Sequence, residues 1–172
     1  MNSADMSWLA ASADEVAPRL LGMVLTTRVG GCETSIEITE TEAYLPDDPA
    51  SHTYRGPTER NTPMFGAPGG VYVYRSYGIH WCVNIVTGPA GSGEAVLIRA
   101  GAPIEGRTTM EDRRGRTDHL TDGPGKLCQA LRIDGSCSGT MLGERLELSG
   151  EPGTRAFAVT PRIGISVAVA IA

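Results

Sequence analysis

The sequence predicts a mixed α/β (α+β) fold in a single domain, its sheet mainly antiparallel and built from hairpins. Three observations lead there. The 172 residues include 22 Gly and 11 Pro, which demand more chain reversals than a helical bundle uses. Short runs of alternating apolar residues recur in pairs around glycine-containing turns, the mark of β-hairpins. Between these pairs lie stretches with helix start signals. The length suits one hydrophobic core that needs neither disulfides nor metal ions, so residues 1–172 are read as one domain.

The elements follow in order. "SADEVAPRLL" at 12–21 opens with a serine N-cap and acids in its first turn, predicting a short helix despite Pro18. "GMVLTTRV", the Gly30-Gly31 turn and "TSIEITET" predict a hairpin that leaves Glu42 at the end of a strand. Residues 45–69 are rich in Pro, Gly, Asp and Thr and predict a long loop, a length usually kept for function. In "GGVYVYRSYGIHWCVNIVTG" the alternation puts Tyr72 and Tyr74 on one strand face, and "SYG" forms a turn with Tyr77 at its tip. "EAVLIRA" predicts a strand ending at Arg99, and "PIEGRTTMEDRR" a helix. "DGPGKLCQALRI" predicts a helix with Asp122 as N-cap and Pro124 near its first position. "GERLELSG" and "PRIGISVAVAIA" predict late strands.

Composition narrows the class. Hydrophobic residues at 41% and charged residues at 20% suit a globular chain. No apolar run approaches the roughly 20 residues of a membrane span, and no basic-then-apolar leader opens the chain, so a cytoplasmic protein is expected. Cys32, Cys82, Cys128 and Cys137 form no C-x-x-C pair and no zinc spacing with His52, His80 and His119. Buried free thiols and no metal are expected. The net charge is −5, yet it is uneven: −7 over residues 1–50, +3 over 51–116 and −1 over 117–172. A locally basic face is what phosphates feel, although a +3 segment is equally an ordinary solvated surface.

Chemistry concentrates in "ETEAYLPDDPASH", where Glu42, Tyr44 and His52 lie within a dozen residues. A carboxylate partnered by an arginine such as Arg99 can orient water as a general base. Rings around a slot make a stacking pocket for a flat heterocycle, and an aromatic at a hairpin tip can wedge into a base stack. Together these describe an enzyme that takes a base out of DNA and cleaves its sugar bond. The same residues also admit a plainer reading, with half-buried strand tyrosines, a surface histidine and an arginine paired to any nearby acid.

Four blocks decide between them. "ETEAYLPDDPASHTYRG", "RNTPMFGAPGGVYVYRSYGIHWCVNIV", "EAVLIRAGAPIEG" and "DGPGKLCQALRID" resemble, in order and spacing, the alkyladenine (3-methyladenine) DNA glycosylase family over residues 17–165. The resemblance implies a curved antiparallel sheet flanked by helices, with a protruding hairpin that intercalates into DNA. It implies a monomer that excises alkylated or deaminated purines from double-stranded DNA in base excision repair, with no metal and no cofactor. Position by position, it makes Glu42 the general base for water and Arg99 the residue that holds water and carboxylate. Tyr44, His52 and Tyr74 would sandwich the extruded base, and Asn84 would exclude the exocyclic amino group of guanine. Tyr77 would fill the gap in the duplex, and Lys126 would contact a phosphate. Lys126 is the single lysine of the chain, so no Schiff-base lyase step is expected. Family members continue past "PRIGIS" through a Trp-Arg-Phe-like cluster, whereas this chain closes at "VAVAIA"; stability and DNA affinity are where that difference is expected to tell.

Two other classes share these features. A carbohydrate-directed glycosidase needs a second carboxylate about 5–9.5 Å across the bond, for which Glu40 is the nearest candidate. A non-catalytic DNA-damage-binding protein would keep the pocket and release no base.

Overall fold

The computed structural model describes residues 6–153 and 156–162. The first helix, α1 (Ala13–Leu20), buries Ala13, Val16, Ala17 and Leu20, the i, i+3, i+4, i+7 stripe of a helix lying on a core. Ser12 precedes it as predicted, but its hydroxyl donates to Asp14. The helix-start amide of Ala13 is instead satisfied by the buried carboxylate of Glu94, at 2.9 Å, so a distant strand caps this helix.

Six strands follow: β1 (Val24–Val29), β2 (Cys32–Tyr44), β3 (Val71–Ser76), β4 (His80–Thr87), β5 (Glu94–Glu105) and β6 (Leu146–Ser149). They form one sheet in the order β3-β4-β5-β2-β1-β6. Every pairing is antiparallel. The helices α2 (Arg107–Arg114) and α3 (Pro124–Leu131) pack with α1 on one side of it. Ile36, Ile38, Val71, Val73, Val96 and Ile98 meet Met110, Leu127 and Leu131 there. Met64, Tyr72, Val86 and Ala95 make a smaller cluster, with Tyr74 against it.

One irregularity decides where the site lies. Strict alternation along β2 would send Ile36, Ile38, Glu42 and Tyr44 to the same face. The β2–β5 register slips on both sides of Glu40: Ile38 pairs Gly101, Glu40 pairs Ala100, and Thr41 pairs Ile98. Thr39 on β2 and Arg99 on β5 are thus passed over in turn. Past the slip it is Ala43 that packs on the main core, so Glu42 and Tyr44 face the other way. Bulges reverse strand facing in this manner and re-aim single side chains.

Several expected boundaries shift. β5 does not end at Arg99 but runs to Glu105, because β2 continues to supply partners as far as Ser35. Residues 103–105, expected to start a helix, therefore belong to the sheet. Pro103 is tolerated because β4 pairs β5 only as far as Leu97, leaving its other edge open. The helix waits for Arg107, after Gly106 at φ 72°. The N-cap of α3 is Gly123 rather than Asp122; Asp122 binds His119 and Lys126 instead. Cys82, Cys128 and Cys137 are buried free thiols, but Cys32 is exposed, because it closes the β1–β2 turn opposite Val29. The last predicted strand lies largely outside the described residues.

The crowding beside the slip yields a test. A β-carbon on Gly101 would lie 2.5 Å from Ile36 Cδ1 and 2.8 Å from the Glu37 carbonyl oxygen. Gly101→Ala should therefore cost about 1–3 kcal/mol through overpacking, read as a lower urea midpoint at unchanged slope.

Candidate active site

Glu42 is 7% exposed and stands two residues from the end of β2. Both its oxygens are engaged. Tyr44 donates its hydroxyl to Oε1 at 2.6 Å, and Arg99 donates Nη1 to Oε2 at 2.6 Å. Arg99 also donates Nε to Glu40 at 3.1 Å. As the residue passed over in the β2–β5 pairing, Arg99 is aimed across the strand toward both acids. Burial and the hydrogen bond to Glu42 push the Tyr44 phenol far above its ordinary range, so Tyr44 remains a donor at any physiological pH.

Beside this group Tyr44, Ala50, His52, Met64, Tyr72, Tyr74 and Asn84 line a cavity of about 20 Å³. Tyr72 and Tyr74 stack with centroids 5.6 Å apart, and His52 meets Tyr74 edge-on at 4.4 Å. His52 Nδ1 lies 3.0 Å from the Tyr72 hydroxyl. Asn84, 2% exposed, donates its amide to the Tyr72 carbonyl at 3.1 Å, which fixes its side chain in the cavity wall. The loop bearing His52 is shaped by buried Asn61, whose amide donates to the carbonyls of His52 at 2.7 Å and Gly56 at 3.1 Å. Such a volume holds about one water molecule, so a ring-sized ligand would fit only if the rings part.

Tyr77 sits at the tip of the β3–β4 hairpin, 85% exposed, with Ile79 beside it at 68%. Tyr77 and Gly78 take φ of 51° and 68°, the paired positive values of a type I′ turn. An aromatic residue with positive φ is uncommon and strained; here the turn holds an apolar ring out in solvent. The first turn of α3 lies against the tip end of this hairpin, for a β-carbon on Gly125 would come 2.8 Å from His80 Cβ. Lys126 on that turn binds Asp122 at 2.9 Å, so it does not join the carboxylate or the aromatic cavity.

The sequence reading named Glu42, Arg99, Tyr44, His52, Tyr74 and Asn84, and the fold gathers these six. It assigns no role to three of their neighbours. Tyr72 shares a strand face with Tyr74, and its hydroxyl meets His52. Asp48 and Arg162 form a buried pair 2.5 Å apart, and the Arg162 guanidinium lies 4.9 Å from the Tyr44 ring centre. Nothing local in "PRIGIS" links it to a strand 119 residues away. Among the described residues no group of three or more His, Cys, Asp and Glu is arranged to hold a metal ion, and no helix is long and apolar enough to cross a membrane.

Residues 7–172 match the family profile described as Methylpurine-DNA glycosylase (MPG). The chain belongs to the methylpurine-DNA glycosylase family. Relatives bearing the name "Putative 3-methyladenine DNA glycosylase" include a protein of Nitrosospira multiformis, 48% identical over 163 residues, covering 92% of this chain and 82% of its own length. One of Rhodopseudomonas palustris (strain ATCC BAA-98 / CGA009) is 48% identical over 164 residues, covering 94% and 78%. Another, of Methanoculleus marisnigri, is 54% identical over 129 residues, covering 74% and 67%. Membership makes this glycosylase a hydrolase of N-glycosyl bonds, with DNA as its partner.

The electrostatics of the slot can be read at His52. Its pKa is lowered, first by burial of the ring and then by the Arg60 cation. The neutral ring is favoured in the fold, so the linked stability is held above the unfolded value of about 6.5 and is lost as pH falls through the folded midpoint. An NMR titration should place the His52 midpoint below that value, and Arg60→Ala should move it upward.

Proposed function

We propose that this glycosylase flips alkylated or deaminated purines, of the 3-methyladenine, 7-methylguanine and hypoxanthine class, out of double-stranded DNA and hydrolyses their N-glycosidic bonds. The observation that carries the reading is Glu42, a buried carboxylate bound to Arg99 and joined through the Tyr44 hydroxyl to an aromatic slot. A carboxylate oxygen retains acceptor capacity beyond one hydrogen bond, so Glu42 can still take a proton from water aimed at C1′. The water oxygen bonds to C1′, the C1′–N bond breaks, and its electron pair leaves with the base. The sugar passes through an oxocarbenium-like state whose positive charge the carboxylate favours. The products are the free base and an abasic site.

In this reading Tyr44, Tyr74 and His52 hold the base and Asn84 crowds out the 2-amino group of guanine. Tyr77 fills the vacated stack and Lys126 meets a backbone phosphate. The enzyme works as a monomer of one domain on chromosomal DNA in the cytoplasm. Against the carbohydrate-directed alternative, the matching family and the relatives' names point to DNA rather than a free sugar. Stacking contributes roughly 1–3 kcal/mol per base, too little to reject normal adenine. The smaller cost of extruding a poorly paired base supplies the remainder.

Single-turnover release of hypoxanthine and 3-methyladenine from duplex DNA tests the proposal. Glu42→Gln should slow release by about 10²- to 10⁴-fold with lesion binding retained. Release undiminished in the variant would remove Glu42 from its role, and tight binding without release by the parent would make the protein a binder. Tyr77→Ala should weaken affinity for the lesion duplex by about 10- to 100-fold at unchanged melting temperature; equal affinity would dismiss the wedge.

A further inference from the structure

We infer that Arg162 is a positioning residue of this active site, one that locks the base-stacking ring of Tyr44 to the general base Glu42 and to the loop carrying His52. The inference rests on the glycosylase reading above and adds to it a residue outside its catalytic set. Arg162 has a side chain only 7% exposed and spreads its guanidinium over four groups. Nη2 donates to the Ala43 carbonyl at 2.7 Å, which anchors it between Glu42 and Tyr44 on β2. Nη1 pairs with Asp48 Oδ2 at 2.5 Å. Nε lies 3.6 Å from Glu42 Oε1, the oxygen that also accepts from Tyr44. The guanidinium carbon stands 4.9 Å from the centre of the Tyr44 ring, within cation–π range.

Asp48 carries the constraint onward. It is 2% exposed, and its other oxygen accepts the Ala50 amide at 2.8 Å. Ala50 and His52 line the same cavity as Tyr44. One planar cation thereby ties two walls of the slot to the carboxylate. The two buried acids, Glu42 and Asp48, face two arginines, Arg99 and Arg162, and the half-exposed Glu40 adds a third carboxylate at Arg99. A lysine could match the charge but not the fork, because it offers a single nitrogen to Asp48, Ala43 and Glu42 together. Since the cavity must open to admit a base, a ring held from one side returns to the same place against each base that enters.

The test removes the cation and its buried counter-charge together, because Arg162→Gln alone leaves Asp48 unpaired and can unfold the chain. In the Arg162→Gln/Asp48→Asn variant, base release at saturating enzyme should fall about 10- to 100-fold, while affinity for the lesion duplex and melting temperature stay near those of the parent. Arg162→Lys should not restore the rate. A parent-like rate in the folded double variant, or a rate loss matched by an equal loss of affinity, would overturn the inference. An independent measurement holds whatever the parent's activity: with ring-labelled tyrosine, the Tyr44 resonance should shift in the double variant while exposed Tyr54 stays in place. An unmoved Tyr44 resonance rejects Arg162 even if the glycosylase reading stands. Failure of the parent to release any base rejects that reading instead.

Discussion

The site depends on a pair of compensating bulges in one strand pair, one residue passed over on each strand. β2 and β5 form the centre of the sheet, and a uniform register would bury Glu42 and Tyr44 in the same core as Ile36 and Ile38. Passing over Thr39 and then Arg99 turns the carboxylate and the phenol to the opposite face, while isoleucines upstream and Ala43 downstream keep packing on the helices. The same slip releases Arg99 from the regular pairing and brings its guanidinium onto Glu42. Core and site are thus two faces of one strand, divided at Glu40.

That arrangement places charges where water is scarce. Breaking a buried ion pair from one side costs about 3–5 kcal/mol, whereas the intact pair gives little net stability. The Glu42–Arg99 and Asp48–Arg162 pairs therefore account poorly for why the chain folds and well for why its carboxylate is held in one orientation. The core on the helical side, with Leu20, Leu25, Ile36, Ile98, Leu127 and Leu131 fully buried, provides the stability on which the polar face rests.

The aromatic side of the site is narrow. Tyr72, Tyr74 and His52 already contact one another, so on the proposed function a flipped base would replace ring–ring contacts with ring–base contacts and gain only the difference. Discrimination by stacking would then be correspondingly modest, and selectivity would rest on the ease of extrusion from the duplex and on the fixed amide of Asn84. The exposed Tyr77 belongs to the opposite economy: its ring has no core to leave, and a turn with two positive φ values keeps it projecting.

Much of this was legible in the residues themselves. Period-two alternation in "VYVY" and "IHWCVNIV" marks β3 and β4, glycines at the turns mark the hairpins, and the spacing of Ala13, Val16, Ala17 and Leu20 marks α1, because these signals act over a few residues. Glu42, Tyr44 and His52 could be picked out because they lie close in the chain. What the fold alone decided acts across distance. A register slip leaves no local signature, since it depends on which partner strand is present; for the same reason β5 runs on past Arg99. The cap of α1 comes from Glu94, 81 residues away. Arg162 reaches Tyr44, Glu42 and Asp48 only after the chain has returned across the sheet, and no pattern within "PRIGIS" encodes the neighbours that its guanidinium finds there.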